Sequence, residues 1–540
     1  MGIFDRLFGS GGTDKGAEEP IPALPWERKP SIYEHVETHV QAGKLVDDGQ
    51  DLPDEERTFA GSQIRWAAGA MDGVATHHMG GSDGDGATTL LNVVVDYCTA
   101  PSVENKLKVY ERIMQTRTVG VIDPFIQELR QTSDINFNRL YELAKSFAIE
   151  ATDREPVKLG IALLGLFRED QDRELFRTLG RHDEFTLFCA VALANGEGDP
   201  EQELWELAKS VHGWGRVHIV ERLAKTEDPA IKDWLLREGY KNSVMYEYLA
   251  YTCATGGGLL SALERENVDA ELLASSGDII KALLSGGPAE DIDTYDDGAA
   301  VIEHYLNHLR ARATSIPDLL GVAAVRSFLA NAEADWEGRS SRGWTPELRA
   351  SLLEQCNKAI EQPLWRQLVL KGLESSDEQA FHLANQAASI LGIDTWEYHW
   401  KRLQAEPTDS GRWFHTMQCS GPEHVGAVVD FAMRALPLTA IAKGPAQELG
   451  MGKEFQPHQC LGSVLQGLQA FPGYGVRLIE VGLKSPVVSN RNGALRALAA
   501  WGKMNWPQGM EATLAETMAQ EPEKKVRESI QKVIDGEALD

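Results

Sequence analysis

The chain has 540 residues, of which 43% are apolar and 25% charged, so it is too long for a single hydrophobic core and too apolar to be disordered. Its 53 basic and 81 acidic residues give a net charge of −28. That charge disfavours nucleic acid as a partner and favours neutral or basic proteins, or cations.

The six cysteines are scattered without a CxxC pair, so we expect buried, reduced thiols and a cytoplasmic protein. No apolar stretch approaches the ~18 to 20 residues that a membrane helix requires. Residues 1–28 are rich in Gly, Ser, Glu and Pro and predict a flexible tail. Within that tail, residues 1–8 hold an apolar helical turn that is long enough only for weak peripheral contact with a membrane.

Residues 29–135 predict an N-terminal helical region. Ser31 and Glu34 have the spacing of a capping box, which indicates a helix start. The apolar positions of this first helix share one face: Ile32, Val36, His39 and Val40. A second helix is predicted over residues 64–75, and the apolar run 90–98 is expected to be a buried helix, since no neighbouring segment alternates like a strand.

Residues 136–285 predict a set of helical repeats. Asp199-Pro200 and Asp228-Pro229 each combine an N-cap residue with a proline in the first turn, which is the favoured start of a helix. Residues 286–345 predict a loop-rich helical spacer, with loops at 286–298 and 337–344.

Residues 346–540 hold the clearest repeats. Three apolar stripes predict three short helices near the carboxyl terminus, around Trp501, Leu514 and Ile530. The segment RNGALRALAAWG is similar to the second helix of a HEAT repeat, and EPEKKVRESIQKVI to the start of the next one. The resemblance implies an all-α fold, an α-solenoid of stacked antiparallel helix pairs.

Nucleotide-binding motifs are absent from the sequence: neither GxxxxGK[ST] nor GxGxxG is complete. GGSDG at residues 80–84 has the letters of a nucleophile elbow around Ser82. A nucleophile elbow follows a strand, however, and the residues before Ser82 have a helical pattern. We therefore expect a glycine-rich loop at this position.

The densest group of candidate functional residues is histidine-rich: His35, His39, Asp72, His77 and His78. Two histidines four residues apart project from one helical face, which is how two-histidine metal sites are built. The same residues are compatible with acid-base catalysis. Because His39 and His78 lie within apolar stripes, buried histidines with a purely structural role are the alternative.

The segments ALPWERKPSIYEHV and WAAGAMDGVATHH also resemble bacterial HEAT-like proteins that are often labelled limonene hydroxylase. That label implies oxygen activation, but the haem-thiolate pattern FxxGxxxCxG is not matched around Cys460, and no flavin fingerprint is present. No cofactor is therefore expected, apart from a divalent transition metal at the histidine group.

Two functions are compatible with these patterns. The first is a cytoplasmic protein-binding scaffold, which uses an extended helical-repeat surface to hold a neutral or basic protein. The alternative is a metal-dependent or acid-base enzyme centred on the histidine group. The second requires those five side chains to converge, whereas the first does not.

Overall fold

The computed structural model describes most of the chain: residues 24–46, 49–60, 65–133, 135–196, 198–312 and 314–539. Residues 1–23 of the predicted tail, including the apolar turn at 1–8, lie outside this part, as does Ile64. Within the described residues the chain forms two compact units, divided as Met1–Ala313 with Ala324–Cys356, and Thr314–Ala323 with Asn357–Asp540.

The described residues are predominantly α-helical, which confirms the predicted all-α class. The helices up to residue 285 are α1 Ile32–Thr38, α2 Glu55–Thr58, α3 Ala70–Val74, α4 Gly84–Thr99, α5 Val103–Met114, α6 Thr118–Leu129, α7 Phe137–Glu150, α8 Arg154–Leu164, α9 Arg173–Leu179, α10 Asp183–Asn195, α11 Pro200–Ala208, α12 Trp214–Leu223, α13 Pro229–Trp234, α14 Ala250–Gly257, α15 Leu259–Leu263 and α16 Ala270–Ser285.

The remaining helices are α17 Gly298–Arg312, α18 Ile316–Ala330, α19 Trp336–Ser340, α20 Pro346–Ile360, α21 Pro363–Leu373, α22 Glu378–Ile390, α23 Trp396–Ala405, α24 Ser410–Gln418, α25 Pro422–Ala435, α26 Leu438–Ile441, α27 Gln456–Leu468, α28 Val476–Leu483, α29 Val488–Trp501, α30 Met510–Gln520 and α31 Lys524–Asp535. No helix among the described residues is long and apolar enough to cross a membrane.

A short antiparallel hairpin follows α1. Its strands are β1 Val40–Gln41 and β2 Lys44–Leu45, with Gln41 opposite Lys44. The two turn residues, Ala42 and Gly43, have φ angles of 49° and 79°. Positive φ at both positions of a two-residue turn matches the right-handed twist of the strands, and it holds Lys44 beside the end of the hairpin.

The core of the first unit is built from helices that follow one another closely in sequence. Helix α8 packs against α7 and α10, and α10 packs against α12. Their facing side chains are fully buried, including Phe147, Leu159, Phe185 and Ile219. Packing of near neighbours is what helix-pair repeats require, while the stacking of these pairs into a solenoid stays a prediction.

In the second unit α27 packs against α24 and α29, and α29 packs against α31. The side chain of Trp501 closes this core: it is 3% exposed, and its indole N–H donates to the carbonyl of Leu468 at 2.7 Å. The three predicted carboxyl-terminal stripes coincide with α29, α30 and α31, which confirms them.

Several local predictions are confirmed by the capping geometry. Ser31 caps α1 with Glu34 completing the capping box, and the carboxylates of Asp199 and Asp228 accept amide hydrogens at the starts of α11 and α13. The apolar run 90–98 lies within α4.

Three local predictions were wrong. Helix α1 ends at Thr38, so Val40 belongs to the hairpin and not to the helical face. The second helix starts at Ala70 and not near residue 64, because Gly69 has a left-handed φ of 71°. Part of the predicted loop 337–344 is helix α19, which Asp335 caps.

Candidate metal centre

A single short segment, residues 70–79, carries most of the candidate functional residues. Helix α3 continues directly into a π turn, Ala75–Met79, which ends where the amide of Gly80 donates to the carbonyl of Ala75 at 3.2 Å. A π turn holds more residues per turn than an α-helix, and π turns are frequent at functional sites. In this π turn His77 faces α12.

Two glycines let this segment approach its neighbours closely. An ideal Cβ on Gly73 would lie 2.2 Å from the ring of Trp214, so only glycine allows α3 to rest on α12 at this point. The amide of Gly69 donates to Oε2 of Glu184 at 2.8 Å, which ties the start of α3 to α10. The backbone of the α3 segment therefore contacts both α12 and α10, and these contacts fix the position of His77.

His77 meets two residues of α12, His218 and Glu221, which lie three positions apart on one helical face. One ring nitrogen from each histidine and one carboxylate oxygen all lie within 4.8 Å of one another. The shortest of these contacts joins Nε2 of His77 to Oε1 of Glu221 at 2.8 Å. Zinc ligands surround one point at ~2.0–2.2 Å, so small side-chain rotations would bring the three onto one ion.

His218 is the most unusual member of this group. It is 3% exposed, and its Nε2 has no hydrogen-bond partner among the described residues. Leaving such a nitrogen unsatisfied costs about 1–3 kcal/mol. Burial lowers the pKa of His218 to about 3, and the nearby His77 acts in the same direction. The ring is therefore neutral at neutral pH, and neutral imidazole is the form that binds a metal ion.

His77 is oriented by its second ring nitrogen. Nδ1 lies 3.0 Å from the carbonyl oxygen of Gly73 and donates to it, which leaves Nε2 directed at Glu221. The hydrogen bond to Glu221 raises the pKa of His77, although burial opposes that effect. A ring nitrogen bonded to a backbone carbonyl is the usual arrangement behind a metal-binding histidine.

Aromatic rings lie beside the candidate ligand His77. The ring of His77 lies 5.4 Å from that of Trp214 and 5.7 Å from that of Tyr248, and the hydroxyl of Tyr248 lies 2.7 Å from Nε2 of His78. These rings cover one side of the group. The Glu221 side chain remains 36% exposed, so the group can be reached from solvent.

Asp72 belongs to a different cluster, centred on the buried ammonium of Lys158. Nζ of Lys158 lies 2.6 Å from Glu184, 2.7 Å from Asp72 and 3.3 Å from Glu155, and the lysine side chain is 1% exposed. Burial alone would lower the pKa of Lys158, but the three carboxylates raise it well above its ordinary value. The lysine is therefore held charged.

The two most buried carboxylates of this cluster shift in opposite directions. Burial raises the pKa of Asp72 to about 6, because it outweighs the attraction of Lys158. Burial also acts to raise the pKa of Glu184, but Lys158 and Arg154 together lower it to about 2. Of these two carboxylates, Asp72 is therefore the one that takes up a proton in mildly acidic solution.

His35 and His39 lie elsewhere in the first unit, at the end of α1. Their rings are 4.3 Å apart, and Nδ1 of His39 lies 2.7 Å from the carbonyl oxygen of His35. Nε2 of His35 lies 3.2 Å from the carbonyl oxygen of Gly49. Both imidazoles are thus engaged with backbone carbonyls near the hairpin.

The five predicted residues therefore do not form one group in the structure. Among the described residues, the group with metal-ligand spacing contains His77 but none of the other four. Asp72 contacts Lys158, His78 contacts Tyr248, and His35 contacts His39. The expectation that His39 and His78 face inward was wrong: His39 caps the end of α1 and is partly exposed, and His78 is exposed on the π turn.

Sequence reasoning missed His218 and Glu221, although a signal was present. The segment VHIVERL has a His-x-x-Glu spacing, which places an imidazole and a carboxylate on one helical face. Its pairing with His77 depends on contact between helices far apart in sequence. Ser82 lies in an exposed loop between the π turn and α4, as expected, and the element directly before it is this helical turn and not a strand.

Comparison with known proteins identifies no family for this chain. The chain matches no protein-family model and no curated protein.

Proposed function

We propose that the protein binds a divalent transition metal ion through His77, His218 and Glu221, and that this site is the centre of a metal-dependent enzyme. The observation that carries the proposal is Nε2 of the buried His218, which has no hydrogen-bond partner in the described part of the chain and lies beside two further ligand groups within 4.8 Å. A buried nitrogen that no residue satisfies is costly to keep, and a metal ion would satisfy it.

The ligand set supports a catalytic role over a purely structural one. Structural zinc sites use four protein ligands, usually with cysteine, whereas catalytic sites use three and leave a position for water or substrate. Two histidines and a carboxylate also suit iron(II). When bound, either metal would supply a Lewis acid, held by His77, His218 and Glu221.

Metal titration of the protein purified without an affinity tag tests this proposal. We expect stoichiometric zinc or iron by elemental analysis, or tight binding of added Zn²⁺ by calorimetry. His77→Gln, His218→Asn and Glu221→Gln should each weaken binding at least about tenfold. His78→Gln is the matched control, since its ring is adjacent but bonds to Tyr248, and it should bind as the wild type does.

The pH dependence provides an independent readout of the same site. In the metal-free protein Glu221 raises the pKa of His77, so its proton must leave when a metal binds. Affinity should therefore fall as the pH is lowered through the pKa of His77. Sub-stoichiometric metal, together with no stabilisation by added Zn²⁺, would contradict the proposal, because a ligand at 100 times its Kd adds about 2.7 kcal/mol.

A protein-binding scaffold is a second proposal, supported by large exposed side chains in both units. Aromatic residues of this kind anchor protein interfaces. The exposed aromatic residues are Trp66, Phe137, Tyr246 and Tyr474. Affinity purification with mass spectrometry tests it: a partner retained by the wild type should be lost on substitution of these residues by alanine, and retention by the alanine variants would contradict the proposal.

A further inference from the structure

A continuous cleft lies in the first unit near the hairpin, separate from the three candidate metal ligands. Three cavities of about 420, 350 and 500 Å³ adjoin there, and Lys44 on β2 lines all of them. Arg181 lines two of the cavities, and His212 lines two. The cleft is therefore large enough for a small organic molecule.

Basic side chains line this cleft although the chain as a whole has a net charge of −28. They come from the hairpin and from the ends and connections of several helices: Lys44, Arg177, Arg181, Lys209, His212, Arg216 and Lys241. Because these residues are scattered along the chain, the sequence contains no basic run that would reveal the cleft.

Each carboxylate that lines the cleft has a partner of its own. Glu203 pairs with Arg177 at 2.5 Å, and Glu206 with Lys209 at 2.6 Å. Glu238 pairs with Lys241, also at 2.6 Å. Asp183 instead accepts the amide hydrogens at the start of α12, from Gly213 at 3.1 Å and Gly215 at 2.7 Å.

Two cations are left over once these pairs are formed. Lys44 and Arg181 make no ion pair with any residue that the structure describes, and Lys44 is exposed while Arg181 is half-buried. Arg216 is engaged, because its guanidinium donates to the carbonyls of Ala208 and Lys241. Among the residues that the structure describes, the unmatched positive charge of the cleft is therefore concentrated at Lys44 and Arg181.

The remaining lining supplies a neutral donor and aromatic faces. The hydroxyl of Ser243 and the ring of His212 line the same two cavities, and the indole of Trp234 and the phenol of Tyr246 line the largest. Burial, with Arg216 and Lys44 nearby, lowers the pKa of His212.

We propose that this cleft binds a phosphate group, free or as a small phosphate ester, between Lys44 and Arg181. Guanidinium binds phosphate through two parallel N–H contacts, and ammonium adds a compact second charge. This site shares no residue with the three candidate metal ligands, although Trp214, which lines one of its cavities, lies beside His77.

Calorimetric titration with inorganic phosphate and with phenyl phosphate tests the proposal, with KCl keeping the ionic strength constant. We expect the wild type to bind, and the double variant Lys44→Gln, Arg181→Gln to bind at least about tenfold more weakly. Arg477→Gln with Lys524→Gln is the matched control, because it removes the same charge from exposed positions in the second unit. Lys44→Arg should retain binding.

Tighter binding of phenyl phosphate would assign the site to an ester that uses the aromatic lining, and equal binding would assign it to free phosphate. The double variant should melt as the wild type does in phosphate-free buffer, since neither side chain has a partner in the described residues. Absence of heat with both ligands, or an equal loss in the control variant, would overturn the proposal.

Discussion

Lys158 is the cation at the centre of one buried cluster of charges in the first unit. Its ammonium is removed from water and contacts Asp72, Glu155 and Glu184, and of these Glu184 is also compensated by Arg154. Replacing a whole buried ion pair by apolar residues is often neutral, whereas removing one partner leaves uncompensated charge. Loss of the cation should therefore destabilise the folded state more than loss of an exposed cation would.

Lys158→Met should therefore lower the free energy of unfolding by about 3–5 kcal/mol at neutral pH. Without the lysine the pKa of Asp72, which burial already raises to about 6, rises further above its unfolded value, and the attraction that lowers the pKa of Glu184 is weakened. The penalty is then full at high pH and relieved as the pH falls through those values. Denaturant unfolding followed by circular dichroism, at about pH 8 and about pH 5, measures both effects.

The control for this experiment is Lys503→Met, because the pair that Lys503 forms with Glu511 is exposed. Exposed pairs contribute little, so its unfolding midpoint should stay within error of the wild type. A Lys158→Met protein as stable as the control at both pH values would show that the three carboxylates are compensated in some other way.

At the scale of helices, what the sequence could predict depended on how local the cause was. Helix starts at Ser31, Asp199 and Asp228 were predictable, because a cap and its amide partners lie within three residues of one another. The end of α1 and the late start of α3 were not predictable in this way. The first follows from a hairpin turn, and the second follows from Gly69, a left-handed glycine that packs against another helix.

The candidate site shows the same division. His77 was identified from its histidine-rich neighbourhood, but His218 and Glu221 become partners only when α12 packs under α3. That contact is made possible by Gly73, which leaves room for Trp214. No pattern within a single helix specifies which distant helix will fill such a space.

Trp501 on α29 tests the packing of the second unit. Trp501→Ala should lower the free energy of unfolding by about 3–5 kcal/mol, because it removes a large buried ring and leaves the carbonyl of Leu468 without its donor. Met504→Ala is the matched control, since that side chain is 99% exposed and should change stability by less than about 0.5 kcal/mol. Equal denaturation midpoints for the two variants would mean that the stripe is misassigned.

At the scale of the whole molecule, net charge is the dominant electrostatic property. At pH 7 the net charge is −28, and the isoelectric point is close to 5.0. Like charges at this density repel one another and oppose the compact state. Many of the ion pairs are exposed, and exposed pairs offset little of that repulsion.

Salt should therefore stabilise the protein at neutral pH. Raising NaCl from about 0.02 M to about 0.5 M shortens the Debye length from about 20 Å to about 4 Å, and we expect the melting temperature to rise. The same series near pH 5 is the control, because the net charge there is close to zero and the rise should largely disappear. A melting temperature that falls with salt at pH 7 would show that attractive pairs outweigh the net repulsion.

The π turn at Ala75–Met79 makes the candidate metal centre dependent on chain length at one point. An α-helix advances about 100° per residue, so deleting a single residue between Asp72 and His77 would change the direction in which the imidazole projects relative to Asp72. Asp72, before the deletion, would keep its contact with Lys158. Deletion of a single codon would thus separate a chain with this site from one without it. In related chains, the length of this turn should therefore indicate whether the site is present as well as the identity of the histidine does.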